Sequence, residues 1–169
     1  MAAPIGQTAD QIREGNVLRV PPARVWHALT RPEELLAWWG DPSTYQCTRW
    51  VFDPIAGSRW RAEGTNAAGG TFSVGGTVVE AVPSSLLAYA WEPSWVEVPA
   101  TTMRITLDPV PEGTRLVWVH SGFAGYPRAL HDHRGGLPGV LGRLRRYLGP
   151  DESPRVTARS IPGPEEPAR

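Results

Sequence analysis

The chain has 169 residues, the size of one domain that can bury a core and still enclose a small cavity. Its 17 basic and 17 acidic residues cancel, which argues against nucleic acid or another polyanion as a partner. The basic residues are all arginine, and the absence of lysine excludes Schiff-base catalysis, attachment of pyridoxal phosphate and a Walker A phosphate loop.

The N-terminal part of the chain predicts one strand followed by two short helices. Residues 12–20 form the predicted strand. The apolar positions of 23–29 recur at helical spacing, and Pro22 suits the first turn of that helix. Thr30 is placed to cap a second helix that runs to about Trp39.

From Cys47 onward, short runs of β-branched and aromatic residues alternate with turn residues, as in an antiparallel meander. Apolar and polar residues alternate regularly over 103–107, so one face of this strand should be buried and the other solvated. The predicted strands of the meander span 46–53, 57–64, 70–82, 85–92, 101–108 and 113–121.

A long amphipathic helix is predicted near the C-terminus. Its apolar stripe consists of Leu137, Val140, Leu141, Leu144 and Leu148. A weakened or kinked start is predicted from Gly135, Gly136, Pro138 and Gly139.

These elements divide the chain into three parts. Residues 1–11 are predicted to be a flexible N-terminus, and residues 12–149 to be one domain. The tail, 150–169, is rich in proline and charge and is predicted to be disordered.

Several stretches combine helix caps, turns and packing positions in a particular order. They are PARVWHALT at 22–30, GSRW at 57–60, GTVVEAVP at 76–83, GTRL at 113–116 and HSGF at 120–123. By these stretches and their order, the chain resembles the START-like, or SRPBCC (Bet v 1-like helix-grip), superfamily, and the resemblance extends over most of 12–149. Within it, the chain resembles the branch of homologues of the activator of the heat-shock chaperone ATPase.

The resemblance implies an α+β helix-grip fold. In this fold a curved antiparallel sheet of six to seven strands wraps a long C-terminal helix, with two short helices after the first strand. In proteins of this kind, the pocket between sheet and helix serves lipid carriage, polyketide cyclisation or sequestration of toxic natural products. The fold alone does not choose among these functions.

Three functions follow as hypotheses. The leading one is a non-catalytic binder of a hydrophobic, aromatic small molecule, for example for natural-product sequestration or self-resistance, because no strong catalytic constellation is present. The alternative is a polyketide cyclase or aromatase that uses His120 with Tyr89 or Arg59 to move protons. The third is a module that interacts with a chaperone ATPase. We rank it last because the resemblance assigns that property to longer proteins with an extra domain.

Eight tryptophans are more than a domain of this size needs for its core, so we expect some of them to form an aromatic wall around the ligand. Further candidates follow from strand alternation and from the stripe of the last helix. The side chains that we expect to bind the ligand are Trp39, Arg59, Trp60, Tyr89, Trp91, Met103, Ile105, Trp118, His120, Leu137 and Leu141.

Two of these candidates have competing interpretations. Arg59 and Arg61 lie on one face of a strand, where they either bind a ligand carboxylate or lie in solvent while Trp60 points inward; the second is favoured. His120 either acts as an acid or base near neutral pH or is a structural histidine bonded to a backbone carbonyl, and the second is again favoured. The hydroxyl of Tyr89 is a candidate orienting group.

Metal and cofactor sites are not predicted. Residues two apart on a helix point in different directions, so His131-Asp132-His133 is interpreted as a solvated helix start rather than a metal site. Cys47 is the single cysteine and forms no zinc spacing with the histidines, which fits a reducing compartment.

The cellular setting is inferred from what the sequence lacks. No apolar run reaches the roughly 18 residues of a membrane span, and the N-terminus has no secretory pattern, so we expect a cytoplasmic protein without membrane insertion. The arginine-only usage, with many Ala, Gly and Pro residues, suggests a GC-rich bacterial genome.

Overall fold

The computed structural model describes residues 10–149. This part of the chain consists of one antiparallel sheet and three helices. The strands are β1 Gln11–Leu18, β2 Gly40–Asp41, β3 Tyr45–Val51, β4 Arg59–Asn66, β5 Thr71–Val82, β6 Leu86–Pro93, β7 Thr101–Val110 and β8 Gly113–Ser121. The helices are α1 Pro22–Thr30, α2 Pro32–Trp38 and α3 Pro127–Leu148.

The eight strands are ordered β1-β8-β7-β6-β5-β4-β3-β2, so each strand from β2 to β8 pairs with its neighbour in sequence and β1 closes the far edge against β8. Register shifts interrupt the ladder between Cys47 and Arg49 and between Val78 and Glu80. Such bulges bend a strand and increase its twist. The sheet is accordingly curled into a half-barrel whose concave face holds α3.

The predicted α+β helix-grip fold is therefore confirmed. The sheet has eight strands rather than six or seven, because the two-residue strand β2 pairs with β3 at the edge of the sheet. A strand of two residues shows no alternation that a sequence pattern can reveal.

The two short helices are present, but the cap of the second differs from the prediction. Thr30 is the last residue of α1, and its hydroxyl donates to the carbonyl oxygen of Trp26 at 2.7 Å. Arg31 takes the N-cap position of α2 without a side-chain cap bond. Trp38 Nε1 donates to the carbonyl oxygen of Ala28 at 2.9 Å, which ties α2 to α1.

Helix α3 is continuous over 22 residues and includes Pro138. The segment for which a weakened or kinked start is predicted lies inside α3, which begins at Pro127. The inward stripe that the sequence predicts is buried at Leu137, Val140, Leu141 and Leu144.

The domain limits remain a prediction. The predicted flexible and disordered termini lie outside the described residues, except for Asp10 and Gln11, and Gln11 is the first residue of β1. Within 10–149, no helix is both long and apolar enough to cross a membrane.

Candidate ligand-binding cavity

A cavity of about 340 Å³ lies between the concave face of the sheet and the N-terminal half of α3. Its wall is mainly apolar, and six of its side chains are aromatic: Trp39, Tyr45, Trp50, Phe72, Trp91 and Trp95. Protein pockets for small ligands are of this kind, with an apolar wall and a few polar groups, and start at about 300 Å³.

Trp39, just after α2, forms the boundary between the cavity and the core. Its ring lies 5.4 Å from Trp50, 6.0 Å from Trp91 and 5.8 Å from Trp118, measured between ring centroids. Trp50 in turn stacks on Trp60 at 5.7 Å with an interplanar angle of 16°. The wall is thus a continuous group of rings that support one another.

Five of the predicted side chains line this cavity. They are Trp39, Trp91, Met103, His120 and Leu137. Five others are buried in the core beyond the cavity wall. They are Trp60, Tyr89, Ile105, Trp118 and Leu141.

Whether a predicted side chain lines the cavity or lies in the core depends on its position along the strand, as strand β6 shows. Tyr89 and Trp91 share the inner face, as alternation predicts, but only Trp91 reaches the cavity. On β7 and β8 the residues nearest the same end of the sheet, Met103 and His120, line the cavity, and they are paired in register. The cavity therefore occupies one end of the concave face.

Arg59 is a prediction that the structure corrects. Its side chain is 70% exposed on the outer face of the sheet, where it donates to Thr77 Oγ1 at 3.0 Å and lies 3.6 Å from the Glu92 carboxylate. Trp60 points inward between Arg59 and Arg61, so neither arginine faces the cavity.

Tyr89 does not present its hydroxyl to the cavity wall. Its ring packs edge-on against Trp60 at 5.2 Å and Phe52 at 5.6 Å, within the core. Burial raises the pKa of its hydroxyl above the ordinary value. Tyr89 is therefore a neutral core residue at physiological pH.

His120 is 1% exposed and its Nε2 lies 2.6 Å from Thr101 Oγ1. The favoured structural interpretation expected a backbone carbonyl as its partner, whereas the partner is a threonine hydroxyl. Burial lowers the pKa of His120 to about 2, and the nearby His133 adds to this effect. The ring is neutral near pH 7, so it has no proton to give as a general acid.

His133 lines the cavity although the sequence analysis assigned it to a solvated helix start. Its Nδ1 lies 2.8 Å from the carbonyl oxygen of Ala129, and its Nε2 accepts from Trp91 Nε1 at 3.1 Å. Because a carbonyl only accepts, Nδ1 carries the hydrogen and the ring is neutral. Burial lowers the pKa of His133, while the Ala129 carbonyl and Asp132 oppose the shift.

A periodicity signal for His133 exists in the sequence. It precedes Leu137 by four residues and so extends the apolar stripe of α3 by one turn. His131 points to solvent, and no cluster of three or more potential metal ligands occurs within 10–149.

Strand β3 contributes three side chains to the cavity that the sequence analysis did not select. Tyr45 Oη accepts from Arg143 Nη2 of α3 at 3.0 Å, and the guanidinium lies 5.7 Å from the centre of the Tyr45 ring. Burial raises the pKa of the Cys47 thiol to about 11, although the Trp50 indole N–H and Arg143 act in the opposite direction. Cys47 is therefore a neutral thiol at pH 7 and not a nucleophile.

The rim of the cavity includes Trp95, in the segment between β6 and β7. It is 47% exposed, stacks over His133 at 6.1 Å and meets Phe72 edge-on at 5.8 Å. An exposed ring beside an aromatic cavity extends the apolar surface that a flat ligand can cover.

The comparisons with known proteins agree with this architecture. A family model described as Activator of Hsp90 ATPase homolog 1-like protein matches residues 19–149. Among curated proteins, none matches the chain.

Solved structures provide further likenesses. A protein from Chromobacterium violaceum is 28% identical over 85% of this chain and 100% of that chain, with a TM-score of 0.72. A protein from Rhodobacter sphaeroides is 25% identical over 85% of this chain and 92% of that chain, with a TM-score of 0.71. A protein in the dynemicin biosynthetic locus shares the fold at 22% identity, over 82% of this chain and 47% of that chain, with a TM-score of 0.64.

Proposed function

The chain belongs to the family of Activator of Hsp90 ATPase homolog 1-like proteins, and from this premise we propose that it binds a hydrophobic, aromatic small molecule in the cavity without changing it chemically. The observation that carries the proposal is the cavity of about 340 Å³ with its six aromatic side chains. Flat aromatic surface recognises flat apolar ligands by stacking and by displacement of water.

The chemistry of the wall supports binding rather than turnover. Both histidines are neutral because burial lowers the pKa of each. His133 also has both ring nitrogens engaged in hydrogen bonds. The thiol of Cys47 is protonated at neutral pH for the same reason of burial. The histidines are thus not protonated acids near pH 7, and the thiol is not a nucleophile.

One concrete version of this function is sequestration of a natural product by the cell that makes it. The protein from the dynemicin biosynthetic locus shows that the fold occurs in a biosynthetic setting. In our proposal, this chain acts in the cytoplasm, where a lone cysteine such as Cys47 stays reduced.

The test is a titration of intrinsic tryptophan fluorescence, since Trp39, Trp50, Trp91 and Trp95 line the cavity. The panel contains an anthraquinone, a flavone and a saturated fatty acid, and N-acetyltryptophanamide titrated in parallel corrects for absorption by the ligand. We expect saturable quenching by the aromatic compounds, which mass spectrometry then recovers unchanged.

Two results contradict the proposal. Recovery of a converted compound would favour the cyclase instead. If no aromatic compound binds saturably, a protein partner is favoured instead, because the family description names an activator of the Hsp90 ATPase.

A further inference from the structure

We infer that the ligand carries a carbonyl oxygen and that this oxygen is bound by two hydrogen-bond donors, Tyr45 Oη and Asn66 Nδ2, at the β3–β4 side of the cavity. The inference rests on the proposed function and deepens it, because it names the chemical group that orients the ligand.

Tyr45 and Asn66 are direct partners in the antiparallel register of β3 and β4. Side chains of such a pair project from the same face of the sheet, with Cβ atoms about 5 Å apart. Both residues line the cavity. The fold therefore places both residues on one face of the sheet, at the cavity wall.

The orientation of the Asn66 amide is fixed by the turn that follows it. Its Oδ1 accepts from the backbone N–H of Ala68 at 3.0 Å and of Gly70 at 2.9 Å. Since only the oxygen can accept from two N–H groups, Nδ2 is the free end of the amide and carries two hydrogens. No hydrogen bond from Nδ2 is formed within residues 10–149.

The hydroxyl of Tyr45 likewise accepts one hydrogen bond and donates none within residues 10–149. Its oxygen accepts from Arg143 Nη2 at 3.0 Å, so its own hydrogen remains for another acceptor. A hydrogen bond from a cation polarises the hydroxyl and strengthens it as a donor. No ion pair between Arg143 and a carboxylate is formed within 10–149.

Several other polar groups of the cavity are already engaged. Thr44 Oγ1 donates to the carbonyl oxygen of Asp41 at 3.2 Å. The Trp91 indole N–H and both nitrogens of His133 bond to each other and to Ala129. The donors of the wall without a partner within 10–149 thus include Trp50 Nε1 as well as Tyr45 and Asn66. A carbonyl oxygen, with two lone pairs, accepts from the two that are partners in the strand register, Tyr45 and Asn66.

The test compares 9-fluorenone with fluorene, which differ by a carbonyl group on the same ring system, in equilibrium dialysis. The wild-type protein should bind fluorenone about tenfold more tightly, since tenfold corresponds to about 1.4 kcal/mol, which is two net hydrogen bonds of about 0.7 kcal/mol each. Tyr45→Phe removes one donor. Asn66→Asp keeps the oxygen that accepts from the turn and removes the Nδ2 hydrogens.

Each of these two variants should reduce the preference for fluorenone to about threefold or less and leave the affinity for fluorene unchanged. The matched control is Gln46→Glu, which makes the same amide-to-acid change at the next position of β3, exposed on the opposite face. It should keep the preference.

Equal affinity of the wild type for the two compounds, or a preference that survives in either variant, would overturn this inference and leave the proposed function in place. If neither compound binds the wild type, the proposed function fails, and this inference fails with it.

Discussion

Two histidines, the buried His120 and the half-buried His133, give the protein a specific response to acid. Burial lowers the pKa of both His120 and His133 in the folded protein. In the unfolded chain a histidine titrates near about 6.5. Below that pH the unfolded state binds protons that the folded state does not, so stability is complete above about pH 6.5 and falls as the pH decreases.

We therefore predict that His133→Gln flattens the pH dependence of stability between pH 7 and 5. A proton bound by the unfolded state alone contributes a slope of at most about 1.4 kcal/mol per pH unit, and this variant removes the contribution of His133. The measurement is the free energy of unfolding by urea. His131→Gln, which changes an exposed histidine on the same helix, should keep the wild-type slope.

The pH range stops at 5 because Asp41 and Glu63, whose pKa values are lowered by hydrogen bonds, contribute below it. A slope in His133→Gln as steep as that of the wild type would contradict the assignment of the proton to His133.

At the scale of single residues, the sequence predicts the face of a side chain better than its position along that face. Alternation places Tyr89 with Trp91 and Trp118 with His120, and the structure agrees. Only one member of each pair reaches the cavity, because the cavity occupies one end of the sheet. That end is defined by how α2 and α3 pack on the strands, which no local pattern records.

At the scale of elements, α3 combines a cavity wall with an internal proline. Pro138 lies in the helix interior with its ring exposed. A proline there lacks the N–H of the helical hydrogen bond and crowds the preceding turn, at a typical cost of about 3 kcal/mol relative to alanine. The helix forms nevertheless, because its buried stripe packs on the sheet, and tertiary packing outweighs local propensity.

We predict that Pro138→Ala raises the free energy of unfolding by about 1–3 kcal/mol in a urea titration. Pro127→Ala is the matched control, since Pro127 lies in the first turn of α3, where proline is tolerated. It should not increase stability. An equal gain in both variants, or a loss in Pro138→Ala, would show that the internal proline is not a local defect.

The order and type of the predicted elements agree with the structure, and the differences lie at the ends of elements. The Thr30 cap was wrong because its hydroxyl bonds to the preceding turn of α1 instead of the following helix. Helix α3 includes the three glycines and the proline that were expected to weaken its start, because the burial of Leu137 and Val140 offsets their penalty.

At the scale of the whole molecule, the helix-grip fold and the family were predictable because they depend on the order of elements and on packing motifs spread along the chain. The cavity volume was not. It depends on space that α3 leaves empty at Gly136. This glycine lines the cavity, and apart from the neighbouring backbone of α3 no atom lies within 4 Å of the place where its Cβ would be.

The central claim is that an aromatic ligand binds between the sheet and α3. The most direct test uses an aromatic ligand identified by the fluorescence panel and compares its dissociation constant for Gly136→Phe with that for Gly135→Phe. Both positions are helical glycines with open space at the Cβ, but Gly135 does not line the cavity. We predict that Gly136→Phe weakens binding at least tenfold, because its ring fills the cavity, while Gly135→Phe binds like the wild type. Equal binding by both variants would place the ligand elsewhere and contradict the account.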